Sequence, residues 1–156
     1  MGKKFTKISP TLQDFIQQQK VFFVSTAMRE GLINTSPKGT DSFHILNETQ
    51  IVWLNLTGSG NETAAHLLES DRMTILFCAF EGNPLILRLY GTAKAYHERD
   101  EQFAEYVGLF PPSISARQII IMDIDLVQTS CGFGVPLMDY KADRQELVQW
   151  LSLIHI

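Results

Sequence analysis

RMTILFCAFEGNPLILRLYGTAKAY, residues 72–96, holds two apolar runs parted by the turn signal Glu81-Gly82-Asn83-Pro84. Both runs, 72–80 and 84–96, are rich in β-branched and aromatic residues, which makes them the arms of a β-hairpin. Neither follows the apolar–polar alternation of a strand with one wet face: RMTILFCAF and PLILRLY are apolar at nearly every position. In a small barrel the inward face fills the lumen, so an apolar outward face needs a second cover, either a helix or another subunit. The pattern therefore predicts a homodimer packed barrel on barrel about a two-fold axis.

On the N-terminal side, IVWLNL (51–56) reads as a strand, TGSGN (57–61) breaks it, and ETAAHLLES (62–70) changes to helical period. Ala64, Leu67 and Leu68 share one face of that helix, with Asn61 placed as its cap. Further back, VFFVSTAM (21–28) and LINTS (32–36) form a hairpin about the REG turn (29–31), and Pro37, Gly39, Asp41 and Ser42 mark a loop. FHIL (43–46) pairs with 51–56 around an Asn-Glu-Thr-Gln turn, and Ser9-Pro10 opens a short helix carrying Leu12, Phe15 and Ile16. Toward the C-terminus, 97–108 is a polar helix, 117–130 a long strand and 140–151 a last helix. Strands joined mostly by hairpins, with helices only between or beside them, predict a mainly β fold: an antiparallel barrel of about six strands with peripheral helices.

The composition sets the outer limits. The 156 residues suffice for one domain, here with a barrel core over about 11–130, and 45% hydrophobic against 19% charged residues is unlike a disordered chain. The net charge of -4, with no clustered basic residues, lacks the footprint of a nucleic-acid groove or an anionic membrane surface. Lys3, Lys4 and Lys7 are not followed by the apolar core of a signal peptide, and no apolar run approaches the ~20 residues that span a bilayer. Cys78 and Cys131 form neither a disulfide framework nor a metal spacing. These readings predict a cytoplasmic chain with no metal site.

Four segments can carry chemistry. In TGSGNET, glycines allow close backbone approach and a helix start supplies free amides, with Thr57, Ser59, Asn61 and Thr63 as short hydrogen-bonding side chains. That construction suits a phosphate, and equally an ordinary capped turn; it is neither a Walker loop nor a dinucleotide fingerprint. In INTSPKG (33–39), Lys38 stands between proline and glycine, on a turn from which its ammonium either reaches inward or stays solvated. Arg88 is embedded in an apolar strand and needs a partner, whether a structural ion pair or a ligand. SCGFGVP (130–136) reads as small-residue packing, and Cys131 has no base beside it. The histidines show no metal or catalytic spacing, and no general acid or base stands out.

Read in order, VSTAMREG…INTSPKG, IVWLNLTGSGNETAAHL, LILRLYGTA and SCGFGVP resemble the FMN-binding split-barrel superfamily, in particular proteins related to pyridoxamine 5'-phosphate oxidase, over about residues 11–150. The resemblance implies a homodimeric six-stranded split barrel with one FMN per subunit in a cleft at the interface. By position, Ile33, Asn34, Thr35, Ser36 and Lys38 would line the flavin from the second strand, and Trp53, Leu54 and Asn55 from its neighbour. Thr57, Gly58, Ser59, Asn61 and Thr63 would sit near the ribityl phosphate, with Arg88 close to the pocket or offered across the interface. Lys38 is the candidate for a positive group near the pyrimidine end of the ring. The implied activity is an FMN-dependent oxidoreductase acting between a reduced nicotinamide or other donor and a small acceptor. Rivals are a non-catalytic flavin- or haem-binding barrel, for which His44 or His66 would be the haem ligand, and a deazaflavin reductase.

Two places depart from the oxidase pattern. Ile33 or Asn34 stands where an arginine opens the second strand, and Asn61-Glu62-Thr63 where a Ser-Arg-Lys clamp holds the phosphate. The basic counter-charge for a phosphorylated vitamin is thereby lost, which argues against pyridoxamine 5'-phosphate as the substrate. Relatives of this type often continue beyond the last helix, whereas this sequence ends at His155-Ile156.

Overall fold

A computed structural model describes residues 2–58 and 60–154. Its elements are β1 (Lys4–Phe5), α1 (Pro10–Gln18), β2 (Val21–Thr26), β3 (Asn34–Gly39), β4 (Phe43–Asn47) and β5 (Gln50–Leu56). There follow α2 (Glu62–Leu67), β6 (Arg72–Cys78), β7 (Ile86–Tyr96), α3 (Glu101–Tyr106), β8 (Ala116–Ser130) and α4 (Glu146–Ile154). The fold is mainly β: an antiparallel sheet ordered β3-β2-β6-β7-β8-β5-β4, with β1 also on β8. β7 takes one side of the fifteen-residue β8, while β5 and β1 share the other, pairing at Gln50↔Asp123 and Lys4↔Gln128.

The connection from β3 to β4 shows how far this sheet curls. These consecutive strands lie at its two edges, yet only the 3-10 turn Thr40–Ser42 joins them. Four Cα steps reach at most ~15 Å. Seven strands laid flat at ~4.8 Å spacing would hold the edges ~29 Å apart. The short link is possible only because the sheet rolls until its edges approach, without pairing β3 to β4, which makes a barrel with a split.

Alternate strand residues fill the lumen. Phe22 and Val24 of β2, Ile51 and Trp53 of β5, Ile75 and Phe77 of β6, Leu87 and Leu89 of β7, and Ile120 and Met122 of β8 form one core. α1 closes it with Leu12 and Ile16; Ser9 caps this helix, its Oγ accepting from the Leu12 amide at 3.4 Å. The intervening residues of β5 and β8 (Val52, Leu54 and Ile119) form a second core with Phe103 of α3 and Phe110. β5 is thus apolar on both faces from Ile51 to Leu54 because a helix covers its outer face. The outer faces of β6 and β7 are different: Thr74, Leu76 and Cys78, and Ile86, Arg88 and Tyr90, are each half-buried in the single chain.

Several expected boundaries move. Among the described residues the sheet has eight strands rather than about six: the seven segments read as strands all form, and β1, too short at two residues to leave a pattern, adds the eighth. The second strand runs from Asn34 to Gly39 instead of ending before Pro37, so Lys38 stands in a strand and not in a turn. Pro37 is tolerated there because β3 is an edge strand bonded to β2 alone. The last helix begins at Glu146, not at residue 140. Tyr140 is engaged elsewhere, its backbone N–H donating to the Glu81 carboxylate at 3.3 Å.

Candidate functional site

The register of β3 decides what faces the split. Asn34, Ser36 and Lys38 point to one side and are half-buried, while Thr35, Pro37 and Gly39 point away and are exposed. The first three form one wall of a cleft of about 310 Å³ whose other walls are Asn55 and Leu56 at the end of β5, Gly58 and Gly60, and Asn61, Glu62 and Thr63 at the start of α2. Asn34 bridges the walls, its Nδ2 donating to Thr63 Oγ1 at 3.2 Å. Buried Asn55 donates to Gln118 Oε1 at 2.7 Å and to Asn61 Oδ1 at 3.3 Å. Asn61 therefore forms no side-chain cap on α2; its oxygen is turned back toward β5. Arg117 of β8 fixes the glycine loop from behind, donating to the carbonyls of Gly60 and Gly58, both at 3.1 Å.

Lys38 dominates the electrostatics. Its Nζ lies 5.3 Å from the centre of the Trp53 ring, and no carboxylate among the described residues comes within ion-pair distance of it. Burial lowers the ammonium's pKa from its ordinary 10.5, Glu62 pulls the other way and Arg117 adds to the lowering. Beneath it, Trp53 is 1% exposed and its Nε1 has no hydrogen-bond partner.

The structure therefore gathers Asn34, Ser36, Lys38, Asn55, Gly58, Asn61 and Thr63 in one place and separates the other candidates. Ile33 lines a different hollow with Arg72, Tyr90 and Asp125. Thr35 faces outward to Ser25, their hydroxyls 3.0 Å apart. Leu54 belongs to the core under α3: it lies between Trp53 and Asn55, and strand alternation forbids all three from facing one cleft. Trp53 is core rather than wall. Thr57 is tied by its amide to the Ser115 carbonyl at 2.6 Å, and Ser59 lies outside the described residues. Arg88 sits on the outer face of β7, its Nη1 donating to Ser130 Oγ at 3.2 Å, away from the cleft of its own chain. Leu56, Gly60, Glu62 and Arg117 are at the cleft without having been named as contacts from the sequence, where Glu62 figured only at the position of the missing clamp. Glu62 carried a signal as the acidic residue of TGSGNET, whereas Arg117 gave none, since its role depends on β8 pairing with β5.

No described histidine lines the cleft: His66 is buried with its Nδ1 3.1 Å from Thr26 Oγ1, and His44 packs on Phe110 with ring centres 4.9 Å apart. Among the described residues there is no cluster of metal-binding side chains, and no helix is long and apolar enough to cross a membrane.

A curled antiparallel sheet with a polar cleft at its split defines a split-barrel protein. Residues 8–131 match the family described as "Pyridoxamine 5'-phosphate oxidase", and the chain belongs to that family. A curated relative, the pyridoxamine 5'-phosphate oxidase family protein ustO of Aspergillus flavus, is 42% identical over 146 residues; the match covers 90% of this chain and 59% of that protein. Among solved structures, a variant of HupZ of Group A Streptococcus superposes with a TM-score of 0.63 at 19% identity, over 79% of this chain and 99% of the other. An FMN-binding protein of Syntrophomonas wolfei gives 0.51 at 15% identity, over 77% and 79%. HutZ of Vibrio cholerae, described as a haem storage protein, gives 0.52 at 15% identity, over 77% and 93%. At these identities the likeness is one of fold.

Proposed function

We propose that the cleft holds FMN and that the protein is a flavin-dependent oxidoreductase acting on a small molecule. The observation that carries this reading is Lys38: a half-buried, desolvated ammonium with no carboxylate of the described residues in ion-pair range, opening into a cleft otherwise lined mostly by neutral hydrogen-bonding groups. Such a site calls for an anionic ligand, and the family and a flavin-binding neighbour in fold make a flavin phosphate the natural one. Lys38 lines the same cleft as Gly58, Gly60 and the start of α2, and in this reading its charge serves the phosphate end rather than the ring. Asn34, Ser36, Asn55, Asn61 and Thr63 supply hydrogen bonds, and Arg117 holds the loop in place. Bound FMN would supply the electron-transfer chemistry. Haem finds no ligand among the described histidines, none of which lines the cleft.

The half-buried outer face of β6 and β7 supports a homodimer, in which Arg88 would be offered to the cleft of the second copy. The absorption spectrum of the purified protein, with FMN titration and light scattering, tests the reading. Paired flavin bands, saturable FMN uptake and a dimeric mass are expected. A Soret band, or no uptake of FMN at all, refutes the flavin assignment.

A further inference from the structure

We infer that Glu62 sets the charge selectivity of this cleft, disfavouring a dianionic phosphate end and bringing phosphate-free riboflavin into competition with FMN. The inference rests on the flavin reading and concerns which flavin the cleft accepts. Glu62 lines the same cleft as Lys38. Its carboxylate lies back against the glycine loop, where a Cβ added at Gly60 would collide with both of its oxygens. The carboxylate therefore packs against Gly60 at the border of the cleft. Glu62 is also the charged neighbour that raises the Lys38 pKa, so the two groups feel each other across the cleft. Arg117 is not among the lining residues; its guanidinium donates to the carbonyls of Gly58 and Gly60 and adds a positive charge behind the loop, which weakens the effect of Glu62 without removing it. One ammonium and one carboxylate leave the lining without net positive charge. A dianion gains from Lys38 and loses to Glu62. A neutral ribityl end loses nothing, and its hydroxyls donate to a carboxylate that accepts only.

The test is fluorescence titration of the full chain with FMN and with riboflavin, for the wild type, Glu62→Gln and Glu62→Lys. Glu62 is exposed, so screening by water and salt limits the effect: with a phosphate dianion ~5 Å away, Glu62→Gln is expected to tighten FMN about fivefold. Glu62→Lys is expected to exceed tenfold, while riboflavin shifts less than twofold in either variant. Parallel shifts of both flavins, or unchanged FMN affinity, would overturn the inference while leaving the flavin site standing. Failure of all three proteins to bind either flavin would overturn both. Thermal denaturation of the variants separates any loss of the favourable position of Glu62 in the first turn of α2 from a change in the cleft.

Discussion

Gln118 is 1% exposed on β8, and its Oε1 accepts from Asn55 Nδ2 at 2.7 Å beneath the floor of the cleft. Replacing it by leucine leaves that amide with only the 3.3 Å contact to Asn61 Oδ1. A buried donor stripped of its better acceptor costs about 1–3 kcal/mol. A loss of about 2 kcal/mol, the middle of that range, corresponds to a drop in Tm of about 4–8 °C for a domain of this size. The reverse change, Asn55→Leu, leaves the Gln118 acceptor unmet and should destabilise by a similar amount. Replacing both partners together removes the unmet groups along with the bond, so Asn55→Leu/Gln118→Leu should lie within about 0.5 kcal/mol of the wild type. Urea denaturation at constant m reads all four proteins. Single losses that simply add in the double variant would refute the claim that these two amides form one unit.

Two further perturbations probe the sheet and the cleft. Gly91→Ala would drive a Cβ into the Asp123 carbonyl oxygen, where the β7–β8 register shifts between Tyr90 and Gly91. A loss of about 1–3 kcal/mol is expected. Gly108→Ala, with nothing within 4 Å of the added carbon, is the matched control, and equal urea midpoints for the two variants would contradict the close approach. Lys38→Met should weaken FMN binding and also change how stability depends on pH. Because the folded-state pKa of Lys38 is lowered, the unfolded chain holds the extra proton between that value and 10.5, and stability rises with pH across this window. The variant should lack that rise when urea midpoints at successive pH values are compared with the wild type, and an identical slope would show that Lys38 is not desolvated.

Most of the strand pattern was readable because short apolar runs bounded by turn signals leave a local record. β2, β5, β6, β7 and β8 fall within or at the edges of the expected segments, and Ser9-Pro10 starts α1 as its capping chemistry requires. Where a residue's meaning depended on a distant partner, the reading failed. Pro37 looks like a strand breaker until β3 is known to be an edge, and Asn61 looks like a helix cap until Asn55 is seen to claim its oxygen. The cleft itself was half legible. The loop and helix start are contiguous in sequence, but alternation along β3 and β5 decides that Ser36 lines the cleft while Thr35 and Leu54 do not. Arg117 was invisible because its partners lie 57 and 59 residues away.

The position of β8 has a consequence for how the chain is made. This strand joins β7 to β5 and receives β1, so its partners include residues 124 positions distant in Lys4↔Gln128. During synthesis, β5 and β7 emerge from the ribosome before residues 116–130, and each waits with an unpaired edge that carries aliphatic side chains. Pairing between such remote segments is slow, and open apolar edges are templates for wrong association. The nascent chain is most exposed to aggregation in that interval, and one late strand ends it by sealing both edges at once.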